Sequence, residues 1–169
     1  MKIPAVKYIL MFIIFALVQG LILKNVVLFD AAFCFLYILF ILMLPIELMT
    51  IPALIIGFVI GLTIDSFYDT GGIHTSAILL ISFVRERWLN MIVPQGGYEK
   101  GVSPTLMVGG LQWFAGYAFP LILLHHFALF FIEAGGFSLF LFTIKKVFLS
   151  SIFTFIVCTL VLFTFMKKQ

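Results

Sequence analysis

Charge is what this 169-residue sequence has least of. Lys and Arg together number 10 and Asp and Glu 7, so charged residues are 10% of the chain. Soluble domains carry about 25%. The net charge of +3 is small and scattered, which excludes a basic stripe for nucleic acid. Cysteine is scarce as well. Cys34 and Cys158 each sit inside an apolar run, with no C-x-x-C or Cys/His spacing for zinc, and read as buried, reduced thiols. There is no P-loop, no G-x-S-x-G elbow and no H-E-x-x-H pair. No pair of acidic residues lies mid-span to serve a proton pump. Glu47, Asp65 and Glu133 alone interrupt the apolar runs, each at an expected helix end. These gaps remove the usual routes to catalysis, and a non-enzymatic protein without cofactor or metal is expected.

What is abundant is hydrocarbon. Hydrophobic residues make up 64%, mean hydropathy is +1.28, and 22 residues are Phe. A chain this short cannot hide so much apolar surface from water, so the bilayer is the solvent for most side chains. The expected fold is an all-α, polytopic membrane helix bundle of about six transmembrane helices, one integral membrane domain over residues 1–169. Reading between charges places the spans near Pro4–Leu23, Ala31–Ile46, Leu48–Ile64, Gly72–Arg85, the part of Val102–Ile132 from Leu111 onward, and Lys146–Met166. The opening "MKIPAVKYILMFIIFALVQG" imitates a signal peptide, but a second apolar run follows at once, and an uncleaved first helix is expected. With the N-terminus inside, Lys2, Lys7, Arg85, Arg87, Lys100, Lys167 and Lys168 are cytoplasmic and Lys24, Lys145 and Lys146 external. That bias favours two cytoplasmic termini, with residues 85–101 as the main cytoplasmic loop.

Polar side chains gather in two places. In "GLTIDSFYDTGGIHTSA", Gly71 and Gly72 permit a tight reversal, and Asp69 or Thr70 is expected to cap the next helix. Asp65 ends its own helix, where the macrodipole opposes a carboxylate, so it needs a partner such as His74 or a turn amide. A structural lock of the hairpin is the favoured role. A partner-contact site comes second, and metal binding by Asp65, Asp69 and His74 last. In "LILLHHFALFFIE", His126 and Glu133 share a helix face, with His125 beside them. Imidazoles inside a membrane are functional candidates, as proton carriers or zinc ligands, although polar glue between helices is the preferred role. Gly57 and Gly61 form a small-xxx-small pair for another helix, within the fold or from a partner. Pro120 is expected to kink its helix, and Arg85, Glu86 and Arg87 to be surface charges.

A helix ending in "GLTID", followed by a loop and the restart "GGIHTSA", resembles the rod shape-determining protein MreD family of bacteria. Length, six-helix hydropathy and the lack of a soluble domain agree with that resemblance over essentially the whole chain. "HHFALFFIE" and "VPQGGYEKG" look like one branch of the family. The resemblance implies a multi-pass protein of the bacterial inner membrane that binds MreC. It would help couple the MreB cytoskeleton to peptidoglycan synthesis through RodA and a penicillin-binding transpeptidase, and so to cell shape. It also implies a fold similar to the substrate-binding S components of energy-coupling-factor transporters, which supplies the alternative of a vitamin-binding subunit. Gly61, Asp65, Gly72 and His74 are the positions that match the family motif.

Overall fold

The computed structural model describes residues 5–99 and 101–166. Lys2, Lys100, Lys167 and Lys168, four of the basic residues used for orientation, lie outside them. The protein is an all-α membrane helix bundle. Its helices are α1 (Ala5–Leu17), α2 (Ile38–Leu42), α3 (Thr50–Tyr68), α4 (Ile73–Met91), α5 (Leu106–Glu133) and α6 (Phe140–Met166). A π turn and a 3-10 turn extend α1 to Asn25, and a minimal antiparallel ribbon, β1 (Val27–Leu28) and β2 (Ala32–Phe33), follows. Four stretches are long and apolar enough to cross a membrane: Val6–Asn25, Thr50–Tyr68, Leu106–Glu133 and Phe140–Thr164. Their outward faces are apolar, with Val6, Ile51, Ile55 and Leu160 all more than half exposed, as helices in hydrocarbon require.

The second expected span, Ala31–Ile46, is not a helix along its length. Residues 33–37 are extended or turning, and α2 adds five helical residues. This segment nevertheless runs from the end of the bundle that holds Asp65 to the end that holds Glu86, and it runs through the middle. No residue from Cys34 to Leu42 is more than 6% exposed. Non-helical backbone is tolerated at membrane depth only where protein satisfies its amides and carbonyls. Here side chains do so. The amides of Phe33 and Phe35 donate to Ser150 Oγ and Thr154 Oγ1, each at 3.0 Å, and that of Tyr37 donates to Gln19 Oε1. Gln19 Nε2 returns a bond to the Cys34 carbonyl at 3.0 Å. Alternate residues of an extended chain point the same way, and Ser150 and Thr154 stand one turn apart on α6, so the two periods match.

Two glycines set the spacing of α3 and α4. A Cβ at Gly61 would lie 2.6 Å from Thr75 Cα, and one at Gly57 would lie 2.6 Å from Ser82 Oγ. The small-residue pair is therefore consumed inside the fold. α5 breaks at Gly109 and Gly110, where φ of +72° at Gly110 needs glycine, and is continuously helical from Leu111 onward. Pro120 lies within the continuous part of α5, and the non-helical dihedrals fall at Gly109 and Gly110. The missing Pro120 N–H frees the carbonyl of Gly116, and Trp88 Nε1 donates to that carbonyl at 3.1 Å. α6 begins at Phe140, earlier than expected, and so includes Lys145 and Lys146.

Candidate functional site

Asp65 stands in the last turn of α3, and the chain reverses after it through Asp69 (φ +56°), Gly71 (+56°) and Gly72 (+107°). Gly72 is the N-cap of α4 but has no side chain to satisfy the first amides of that helix. Asp65 supplies the cap from across the turn. Its Oδ1 accepts from the His74 amide at 2.9 Å, from Thr70 Oγ1 at 2.6 Å and from His74 Nδ1 at 3.1 Å. Its Oδ2 accepts from the Thr75 amide at 3.0 Å and Thr75 Oγ1 at 2.5 Å. The carboxylate, 6% exposed, thus has five donors. The positive end of α4 offsets the negative end of α3 that opposes it. The expected capping role of Asp69 or Thr70 is corrected: Asp69 is the left-handed C-cap of α3, and Thr70 orients Asp65.

His74 leads from this turn into the centre. Its ring is 4.6 Å from that of Tyr68, 5.4 Å from Phe35 and 6.0 Å from Tyr37. Tyr68 in turn receives Gln19 Nε2 on its hydroxyl at 2.7 Å, so Gln19 holds both α3 and the central crossing.

α5 brings two more imidazoles to the same aromatic cluster. His125 and His126 are fully buried, with rings 6.0 and 5.4 Å from Phe35. His125 Nε2 is 2.6 Å from the Tyr37 hydroxyl. His126 Nδ1 bonds the Ile122 carbonyl one turn back at 2.8 Å, and its Nε2 meets Thr154 Oγ1 at 3.2 Å. Glu133 does not join them. It pairs with Lys146 at 3.1 Å near the end of the bundle, and the Lys146 ammonium also lies over the rings of Phe33 and Phe130. The sequence-based grouping of His125, His126 and Glu133 is therefore replaced by His74, His125 and His126 around Phe35. No set of three His, Cys, Asp or Glu among the described residues has the geometry to hold a metal ion.

The other end of the crossing is also closed by side chains. Arg85, expected at the surface, is 1% exposed. Its Nε donates to the Tyr117 hydroxyl at 3.0 Å, and its Nη2 donates to the carbonyls of Leu44 and Pro45. Tyr117 passes its own proton to the Leu42 carbonyl at 2.9 Å. A guanidinium and a phenol thereby satisfy the orphan carbonyls beyond α2, where the helix dipole favours a cation. Beside it, Glu86 accepts from the amide of Thr50, at the start of α3, at 2.7 Å, and from the Thr50 hydroxyl. The α3–α4 pair is thus capped reciprocally, each helix lending a carboxylate to the N-terminus of the other.

Asp65, Gly72 and His74 therefore meet at one turn, and Gly61 packs against Thr75 of α4 one helical turn before Asp65. The residues that sequence reasoning did not single out are Gln19, Tyr37, Tyr117, Ser150 and Thr154. Each is a polar group inside an apolar run, and that was the available signal. Fold and site together define a membrane helix bundle whose buried polar side chains bond its own backbone and one another. Set against known proteins, the chain matches no family model, no curated protein and no solved structure.

Proposed function

We propose that the chain is a non-enzymatic membrane scaffold of the MreD type, which holds an MreC-like partner within the bilayer and belongs to the bacterial machinery of cell elongation and shape. The family assignment rests on the "GLTID" and "GGIHTSA" segments. The observation that favours a scaffold is the central crossing. Residues 34–42 occupy the middle of the bundle with almost no exposure, which is the space a vitamin-binding subunit would need for its ligand. Asp65, Arg85, Glu86 and His126, polar groups that might do chemistry, each bond backbone amides or carbonyls. What faces outward is apolar, suited to lipid and to partner helices.

The orientation proposed with this reading puts both termini in the cytoplasm of a bacterial inner membrane. Four basic residues support this reading. Lys24, bonded to the Phe67 carbonyl, and Lys146 sit at the Asp65 end, and Arg85 and Arg87 lie towards the Glu86 end. Purification from membranes in mild detergent, with identification of the bound proteins and small molecules, tests the function. Recovery of MreC-like and peptidoglycan-synthase proteins is the expected result. A stoichiometric vitamin with no such proteins would overturn it.

A further inference from the structure

A cavity of about 200 Å³ lies between the end of α5 and the start of α6. Two opposite charges line it. Glu133, 49% exposed, and Lys146, 17% exposed, pair through Oε2 and Nζ at 3.1 Å. Thr143, one turn before Lys146 on α6, is a third polar lining residue. Phe130, Leu139 and Phe142 supply an apolar wall.

The surroundings of the cavity suit lipid better than water. Phe137, Leu139, Leu141 and Phe142, in the α5–α6 connection and the first turn of α6, are all more than half exposed. Lys146 stands six residues into α6 from Phe140, about 9 Å along the axis at 1.5 Å per residue. The ion pair is therefore deeper than this apolar rim, at the boundary between hydrocarbon and headgroups. Ionisable side chains at such depth pair with one another or mark a ligand path. This pair is left partly open to the cavity.

The charges define the ligand. One cation beside one anion favours a headgroup that also carries both signs, because a purely anionic one meets Glu133. The Lys146 ammonium already lies over the rings of Phe33 and Phe130, 4.8 and 4.5 Å from their centroids. With those rings holding a cation, the carboxylate is what remains for the ligand's own cation. A carboxylate grips a primary ammonium through donated hydrogen bonds, which a quaternary ammonium cannot give.

We propose that the cavity binds the headgroup of a zwitterionic phospholipid with a primary amine, an ethanolamine phospholipid. Its ammonium donates to Glu133, and its phosphate accepts from Lys146 and the Thr143 hydroxyl. The glycerol and first methylenes lie along Phe130, Leu139 and Phe142. The volume is below the roughly 300–1,000 Å³ of sites for drug-sized ligands, and a headgroup alone needs to enter.

Native mass spectrometry of the detergent-purified full chain tests this. The probe is an equimolar mixture of phosphatidylethanolamine, phosphatidylcholine and phosphatidylglycerol with identical acyl chains. One ethanolamine lipid per chain should bind about fivefold more than either competitor, the yield of one hydrogen bond at a half-exposed site. Glu133→Gln should erase the advantage over phosphatidylcholine. Ala134→Phe, at another lining residue, fills the cavity, leaves both charges and should weaken all three lipids. Equal binding of the three by the wild type, a preference for phosphatidylglycerol, or an unchanged preference in Glu133→Gln would overturn the proposal. Soluble phosphoethanolamine at the same concentration should displace no lipid. Displacement would make this a site for a free amine phosphate and not for a lipid. Should a variant fail to fold, the wild-type competition alone decides.

Discussion

The two ends of the α3–α4 pair use one device in different surroundings. At one end the buried Asp65 gathers five donors, from Thr70, His74 and Thr75, and caps α4. At the other the half-buried Glu86 gathers two, both from Thr50, and caps α3. The difference is what each carboxylate must replace. Water can still reach the Glu86 cap, so that bond competes with a good alternative. Asp65 is cut off from water, and its donors have nothing else to bind. A cap is worth what its loss would strand. The Asp65 end also continues inward through His74 to the histidine cluster, whereas Glu86 ends at Thr50.

The most direct way to break the comparison is Asp65→Leu. It strands two backbone amides, two threonine hydroxyls and the His74 ring Nδ1 in a buried turn, and each stranded donor costs about 1–3 kcal/mol. Losses of this kind add incompletely, so a total of about 3–5 kcal/mol is expected for a buried network. Thermal unfolding of the detergent-solubilised protein should show a clearly lowered midpoint. Asp65→Asn should be milder but not silent. Both carboxylate oxygens face donors, so the amide nitrogen must confront one set or the other. A wild-type midpoint for Asp65→Leu would remove Asp65 from the core of the fold.

Thr154→Val examines the central crossing in the same terms. Valine keeps the shape and deletes the acceptor of the Phe35 amide together with the partner of His126 Nε2. A loss of about 1–3 kcal/mol is expected, with Thr154→Ser restoring most of it. If valine is neutral, the extended segment does not depend on α6 for its backbone bonds.

Much of this was legible from residue types alone, because hydropathy needs no tertiary information. The membrane bundle, the helix start near Leu111 and the hairpin at Gly71–Gly72 all follow from local pattern. Asp65 was also marked in advance, since a carboxylate at the wrong end of a helix demands a partner. The second span was not legible. "FCFLYILFIL" is apolar on every side and contains nothing that separates a buried extended chain from a buried helix. The information lies elsewhere, in Gln19, Ser150 and Thr154, which become meaningful only once the fold brings them alongside. Arg85 was misread for a related reason. Its neighbours Glu86 and Arg87 suggested a surface run, but its partners are carbonyls about 40 residues away, which no local pattern reports.

The smallest effect is expected at the other end of the pair, and it sharpens the contrast most. Glu86→Gln keeps the size of the side chain and one carbonyl oxygen for the Thr50 amide, and removes only the charge. Because the site is half-buried, solvent screens that charge, and its favourable contact with the α3 N-terminus is worth at most about 0.5–1 kcal/mol. The loss should shrink further as salt is raised, since exposed charges are screened. Asp65→Asn, with the same chemical change, should cost more and show little salt dependence, because its surroundings exclude ions as well as water. The check is to measure unfolding midpoints for both variants at low and high ionic strength in one detergent. Equal losses at the two ends, or a salt-dependent loss at Asp65, would mean that burial is not what separates them. The turn around Asp65 would then be open to solvent, and its links to the histidine cluster would have to be weaker than the packing implies.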